Sequence, residues 1–320
     1  MFSKSNCEQC EILGPVRVWK YFKINSKNSH PKANIHTLSR GGNDMQTILL
    51  SALFAGIVAV LVTVAIEKWG GIVGGVLGTL PTTIVPAAIG MYLEAGSDDL
   101  STSMSLIPFW MLLNALFVAS WVVYPRINPS ASLAKMIFVS LAFWSLLAVL
   151  MTISLTESLN YFSELSVGIA GFVCLVSLGL WMTWIPIDAP KGKNSVTKQV
   201  LLMRGLAAAT AIGIAVQFSS MGLPIIAGLA SVFPAIFLTT MVALWIAQGA
   251  EVPTGAAGPM MLGGSSVGMY SLIAPYTLPE YGIYTGSAIC WIASVCLTSL
   301  PAYSWLLWRK RATNQWESWK

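Results

Sequence analysis

Thr79, Pro81, Thr82 and Thr83 fall together in one apolar stretch of the chain, and Ser231 and Pro234 fall together in another. A proline inside a helix removes one backbone hydrogen bond and clashes with a preceding carbonyl. In apolar surroundings the freed carbonyls and amides must find partners, and a bound solute can supply them. With the hydroxyls of Thr79, Thr82, Thr83 and Ser231 and the amide of Asn114, two such breaks would suit a small neutral or zwitterionic molecule. No pattern specific to sodium accompanies these groups. The plainer use of each proline is a packing kink, since Pro and Gly are frequent in membrane helices.

Other chemistry is thinly represented. Asp98 and Glu251 each follow one of the two proline-bearing stretches and would serve as mouth or gate residues of a pathway, or simply as solvated loop acids. Gly264-Ser265-Ser266-Val267-Gly268 fits the nucleophile-elbow spacing. That motif needs a strand–turn–helix setting and an activating histidine. Both histidines, His30 and His36, are near the N-terminus, so the match reads as chance and no enzymatic activity is expected. Cys7 and Cys10 form a CxxC, but its spacing to His30 and His36 is looser than a zinc finger's. Met260, Met261 and Met269 read as flexible filler. Neither a metal nor a cofactor is expected.

The elements that must carry these residues are membrane helices. Of 320 residues 55% are hydrophobic and 10% charged, against roughly 25% charged in soluble domains. Residues 45–307 hold sixteen charged side chains, separated by long apolar runs. A run of about 20 such residues spans the hydrocarbon core as a helix. Spans are predicted near 46–66, 71–93, 103–124, 134–155, 166–187, 200–219, 223–247, 256–276 and 284–307. The eighth, with Gly258, Gly263, Gly264 and Gly268, is a candidate for a broken or re-entrant segment. Glu67, Glu94 and Arg204 fall near span ends, where snorkelling accounts for them. No charge is expected near a span centre.

Nine spans alternate the connections between two faces. One face receives eleven Lys/Arg, including Lys68, Arg126, Lys135, Lys191, Lys193, Lys198, Arg204 and Arg309, and the other receives none apart from those in the N-terminal tail. The second face carries Glu94, Asp98, Asp99, Glu157, Glu164 and Glu280. Since cytoplasmic loops carry the basic excess, the C-terminus is expected in the cytoplasm, the first span is expected to start outside, and the membrane is expected to be the inner (plasma) membrane. Residues 1–44 conflict with this, carrying seven Lys/Arg against three Asp/Glu on the external face. They read as a disordered extension, a targeting segment or, preferably, sequence ahead of a true start at Met45. Basic residues confined to tails and loops give no folded patch for nucleic acid.

A repeat ties these features together. The segment from Gly70 aligns without gaps on that from Leu223, at an offset of 153 residues, placing Pro81 on Pro234, Gly96 on Gly249 and Asp98 on Glu251. Gly74, Gly78 and Thr82 fall on Ala227, Ser231 and Ala235. The offset carries span one onto span six, so the two halves would have opposite orientations. The fold expected is therefore all-α and membrane-integral, with about nine helices in two inverted repeats of four joined by a linking helix. Its parts are a tail (1–44), repeat one (45–155), linking helix and basic loop (156–198), repeat two (199–308) and a cytoplasmic tail (309–320).

Ala227-Gly228-Leu229 running into Phe233-Pro234-Ala235 resembles the signature of small bacterial GlpM/DUF3147-type membrane proteins, in which a Gly/Ala-rich run precedes Phe-Pro. The first half has Leu80-Pro81-Thr82 there instead. The resemblance implies a fused duplication of such a unit and carries no substrate. The function expected is secondary transport of an unidentified small solute, with a membrane scaffold or regulatory subunit as the alternative. The lipid bilayer is the evident partner, and the small-residue stripes are also compatible with a homo-oligomer.

Overall fold

In a computed structural model, residues 40–69, 80–185, 198–248 and 252–317 are described. The chain divides into two units, Met1–Gly41 and Gly42–Lys320. The helices that build the second unit are α1 (Arg40–Trp69), α2 (Ile84–Ser105), α3 (Ile107–Ile127), α4 (Leu133–Ser158), α5 (Glu164–Met182), α6 (Lys198–Ser220), α7 (Pro224–Ser231), α8 (Ala235–Gln248), α9 (Val252–Ser294) and α10 (Leu300–Glu317). A π-helical turn, Val295–Ser299, joins the last two. Helix α1 starts at Arg40.

Small residues line the approach of α1 to α6. A Cβ on Gly213 would meet Ala52 at 3.3 Å, one on Gly56 would meet Ala209 at 3.2 Å, and one on Gly205 would meet Val60 at 2.8 Å. Rising numbers in α1 meet falling numbers in α6, so the two helices run antiparallel. Only residues without bulk allow backbones this near, and dispersion contacts replace a hydrophobic drive that lipid cannot supply.

Among the described residues seven helical stretches are long and apolar enough to cross a membrane, and this is a multi-pass helical membrane protein. Two of the seven, Ile84–Ile127 and Ala256–Ala312, hold 44 and 57 residues. At 1.5 Å per residue the shorter would be about 66 Å long if straight, twice the roughly 30 Å hydrocarbon core. Both double back at a glycine. Gly282 has φ 79° and ψ 171°, a region that only glycine enters cheaply. Beyond it, Cys290 Sγ returns to 2.7 Å from Thr277 Oγ1. Gly96 has φ 82° and ψ −166°, and the residues on its two sides, Ile84 and Asn114, line one cavity.

The second proline-bearing span is broken, as its sequence predicts, and the first is non-helical around its proline, with residues 70–79 outside the described ones. Residues 80–83 are non-helical ahead of α2, and 232–234 are non-helical between α7 and α8. Span eight is not broken within 256–276, which α9 crosses as one helix. Its glycines admit neighbours instead: a Cβ on Gly258 would meet Thr183 at 2.8 Å, and one on Gly264 would meet Met111 at 2.8 Å.

Helices α2 and α3 form the centre. Their most apolar window is 67% buried, against 22% for α4, and Trp110, Phe117 and Trp121 are fully enclosed. Large apolar side chains such as Leu53, Phe138, Leu146, Ile153 and Leu202 face outward, as a lipid-exposed surface requires. Helix α5 packs through its own glycines. A Cβ on Gly171 would meet Phe109 of α3 at 2.5 Å, and one on Gly179 would meet Leu262 of α9 at 3.0 Å.

Polar contacts join some helix ends. Thr102 donates to Glu164, and Ser101, Glu164 and Tyr276 line one surface depression. Elsewhere Arg309 donates to the Trp184 carbonyl through Nε at 2.7 Å and stacks over the Trp184 ring at 4.5 Å. The ends of α5 and α10 therefore share a face.

Candidate functional site

The two breaks open onto one cavity of about 340 Å³. Thr82 and Thr83 approach it from the first break, Ser231 from the second and Asn114 from α3. Four of the seven pathway residues expected from sequence thus come together. Pro81 and Pro234 are buried in the breaks themselves, and their neighbours Leu80, Thr82 and Phe233 form the wall. Thr79 and Glu251 lie outside the described residues. Asp98 is exposed just past the Gly96 reversal, where Ser97 donates to it at 3.3 Å; it does not reach the cavity.

The hydrogen bonds divide the polar groups into committed and available ones. Asn114 Nδ2 donates to the Val232 carbonyl at 2.6 Å, and its Oδ1 accepts from Trp144 Nε1 at 2.9 Å. It is 1% exposed. Sequence spacing alone makes it a solute ligand. The structure instead spends both ends of its amide on tying the α7–α8 break to α3 and α4. Trp144 also packs edge-on against Phe233, with ring centroids 5.3 Å apart. Ser231 Oγ donates to the Gly228 carbonyl at 2.7 Å and keeps its lone pairs. Among the described residues, the Thr82 and Thr83 hydroxyls have no partner and face the cavity freely.

Arg204 is the residue sequence reasoning missed. Its position near a span end predicts snorkelling, yet it lies on the same inward side of α6 as Gly205 and lines the cavity. Its Nη2 donates to Thr240 Oγ1 at 2.9 Å, while its Nε is buried without a partner. Sequence windows report depth along a helix but not azimuth, and the packing of α6 on α1 turns Arg204 inward.

Met111, Gly263, Gly264 and Val267 are also absent from the sequence expectation, although one signal could have found Val267. The wall contains residue pairs separated by the repeat offset of 153: Leu80 and Phe233, Thr83 and Ile236, Ile84 and Phe237, Met111 and Gly264, Asn114 and Val267. Adding the offset to Asn114 would have pointed to α9. Ser266, the serine of the elbow-like motif, sits in α9 and donates to the Gly263 carbonyl at 2.9 Å, so no strand–turn–helix surrounds it. Comparison with protein-family models, curated proteins and solved structures gives no match to this chain.

Proposed function

We propose that this protein is a secondary transporter built from two inverted repeats, with the cavity between the proline breaks as its solute site. The observation that carries the reading is the pairing of the cavity wall at a constant offset of 153 residues. A two-fold relation that exchanges the repeats maps such a wall onto itself. The helix contacts support the same relation. Gly213–Ala52 and Gly205–Val60 exchange under the offset, and Gly56–Ala209 and Met111–Gly264 map onto themselves. Gly171 and Gly179 of α5 touch Phe109 and Leu262, again 153 apart, which centres the linking helix on Leu175. Antiparallel α1 and α6 put the axis across the helices, in the membrane plane. Counting both limbs of each doubled stretch gives nine crossings, with the basic C-terminal end in the cytoplasm.

A site on such an axis can be presented to either side by equivalent movements of the two halves. The two breaks supply hinges at equivalent positions, since residues without helical hydrogen bonds absorb backbone rotation most cheaply. Single cysteines at Thr83 and Ile236, in a chain with the five native cysteines replaced, test this. Each should react with an impermeant thiol reagent from both sides of the membrane, in right-side-out and inverted vesicles. Reaction from one side only would leave a static pocket and favour a scaffold.

A further inference from the structure

We infer that the cavity is an anion site, and that the solute is a small monocarboxylate with an apolar body. This deepens the proposed function and rests on it for the word solute. The neutral or zwitterionic class expected from sequence assumes no charge near a span centre, and Arg204 removes that premise. Ala209 faces Gly56 midway along the α1–α6 pair. Arg204, five residues away, is then about 7.5 Å from the midpoint by helical rise, inside the roughly 15 Å half-thickness of the hydrocarbon core. Its Nε is sealed from solvent without an acceptor. Its one bonded protein partner among the described residues is the neutral Thr240 hydroxyl. An intramembrane cation with no carboxylate beside it among the described residues calls for a counter-charge from elsewhere.

The surrounding groups have the same sign preference. Helices α2 and α8 both begin at the cavity, and the amides of Ile84 and Ile236 have no acceptor among the described residues. Half-helix N-termini carry partial positive charge and in transporters face anionic groups. The Thr82 and Thr83 hydroxyls can donate beside them. No Asp or Glu among the described residues lines the cavity, which disfavours the ammonium of a zwitterion. Among the described residues the cavity carries one charge, and the residue 153 before Arg204 is Ser51, which is neutral. Leu80, Ile84, Phe233 and Phe237 supply apolar wall, and the volume falls at the small end of ligand pockets, roughly 300–1,000 Å³. A carboxylate carried on a short aliphatic or aromatic body satisfies each of these features.

The test uses the full chain purified in detergent, melted at constant ionic strength with paired probes: propionate against propionamide, benzoate against benzamide. At least one carboxylate should raise the melting temperature while its amide twin does not. Arg204→Gln should abolish that rise, and Arg204→Lys should keep part of it; the lysine variant also guards against a folding defect. The inference is overturned if amides shift the melt as much as carboxylates, if no carboxylate shifts it, or if Arg204→Gln leaves the shift intact. Competition by an anionic phospholipid, with no carboxylate carried, would overturn it in favour of a lipid headgroup. Proteoliposome flux separates the two claims. Arg204-dependent binding without flux keeps the anion site and removes the transporter, whereas Arg204-independent flux of an amide does the reverse.

Discussion

Asn114 offers the sharpest test of how the second break is held. Replacing it with alanine deletes the bonds to the Val232 carbonyl at 2.6 Å and from Trp144 Nε1 at 2.9 Å. Both former partners then sit in an apolar interior without replacement. Side-chain hydrogen bonds between membrane helices average about 0.6 kcal/mol and reach about 1.7, while a stranded buried group costs about 1–3. Asn114→Ala should therefore cost about 1–3 kcal/mol. Trp144→Phe removes only the shared bond and keeps the edge-on contact with Phe233, so it should cost about 0.6–1.7 kcal/mol. The double mutant should lose less than the sum of the two, by about the strength of that one bond. Reversible unfolding in mixed detergent–lipid micelles, run as a double-mutant cycle, measures all three values. The reasoning fails if Asn114→Ala lies within about 0.5 kcal/mol of the parent, or if the two changes add within the usual error of about 0.3–0.5 kcal/mol.

Gly282→Ala should cost about 1–3 kcal/mol although no atom lies within 4 Å of the new Cβ, because the penalty is the backbone conformation alone. A neutral substitution there, read by the same unfolding assay, would mean that the helix reversal does not require its positive φ. Pro234→Ala should leave folding within about 1 kcal/mol of the parent, in the range of substitutions that open no cavity. Solute flux in proteoliposomes should nevertheless fall more than about tenfold, because a mended helix loses its hinge; unchanged flux would show that the break is architectural only.

Much of this is legible from spacing. Apolar runs place the crossings, and Pro81 and Pro234 mark breaks that are present as non-helical residues. Three features are not legible, for related reasons. Arg204 reads as a surface residue because its depth, but not its rotation about α6, follows from sequence. The glycines of span eight read as breaks, yet they serve close approach to Met111 and Thr183; a missing Cβ reports nothing about which use it has. The partners of Asn114 come from 30 and 118 residues away, beyond any local pattern.

The repeat illustrates why weak identity can still carry strong geometry. Few residues coincide at the offset of 153, since the two halves differ in chemistry: Ser51 against Arg204, Ala87 against Thr240, Asn114 against Val267. Size persists at some points where helices touch, with small residues at Gly56 and Ala209 and apolar ones at Phe109 and Leu262, while Val60 and Gly213, like Met111 and Gly264, exchange bulk for its absence. Close packing punishes changes of volume wherever backbones meet, while a residue facing a cavity is constrained only by what the cavity holds. The cavity wall is asymmetric: one half supplies the one cation among the described lining residues and its hydroxyl partner, and the other supplies Asn114, Thr82 and Thr83. In the proposed transporter, two halves alike in packing would rock as equivalents, while halves unlike in their lining would hold one end of a solute differently from the other. That division would let a symmetric mechanism act on an asymmetric ligand, and on that proposal the search for the solute should begin at Arg204 rather than at the prolines.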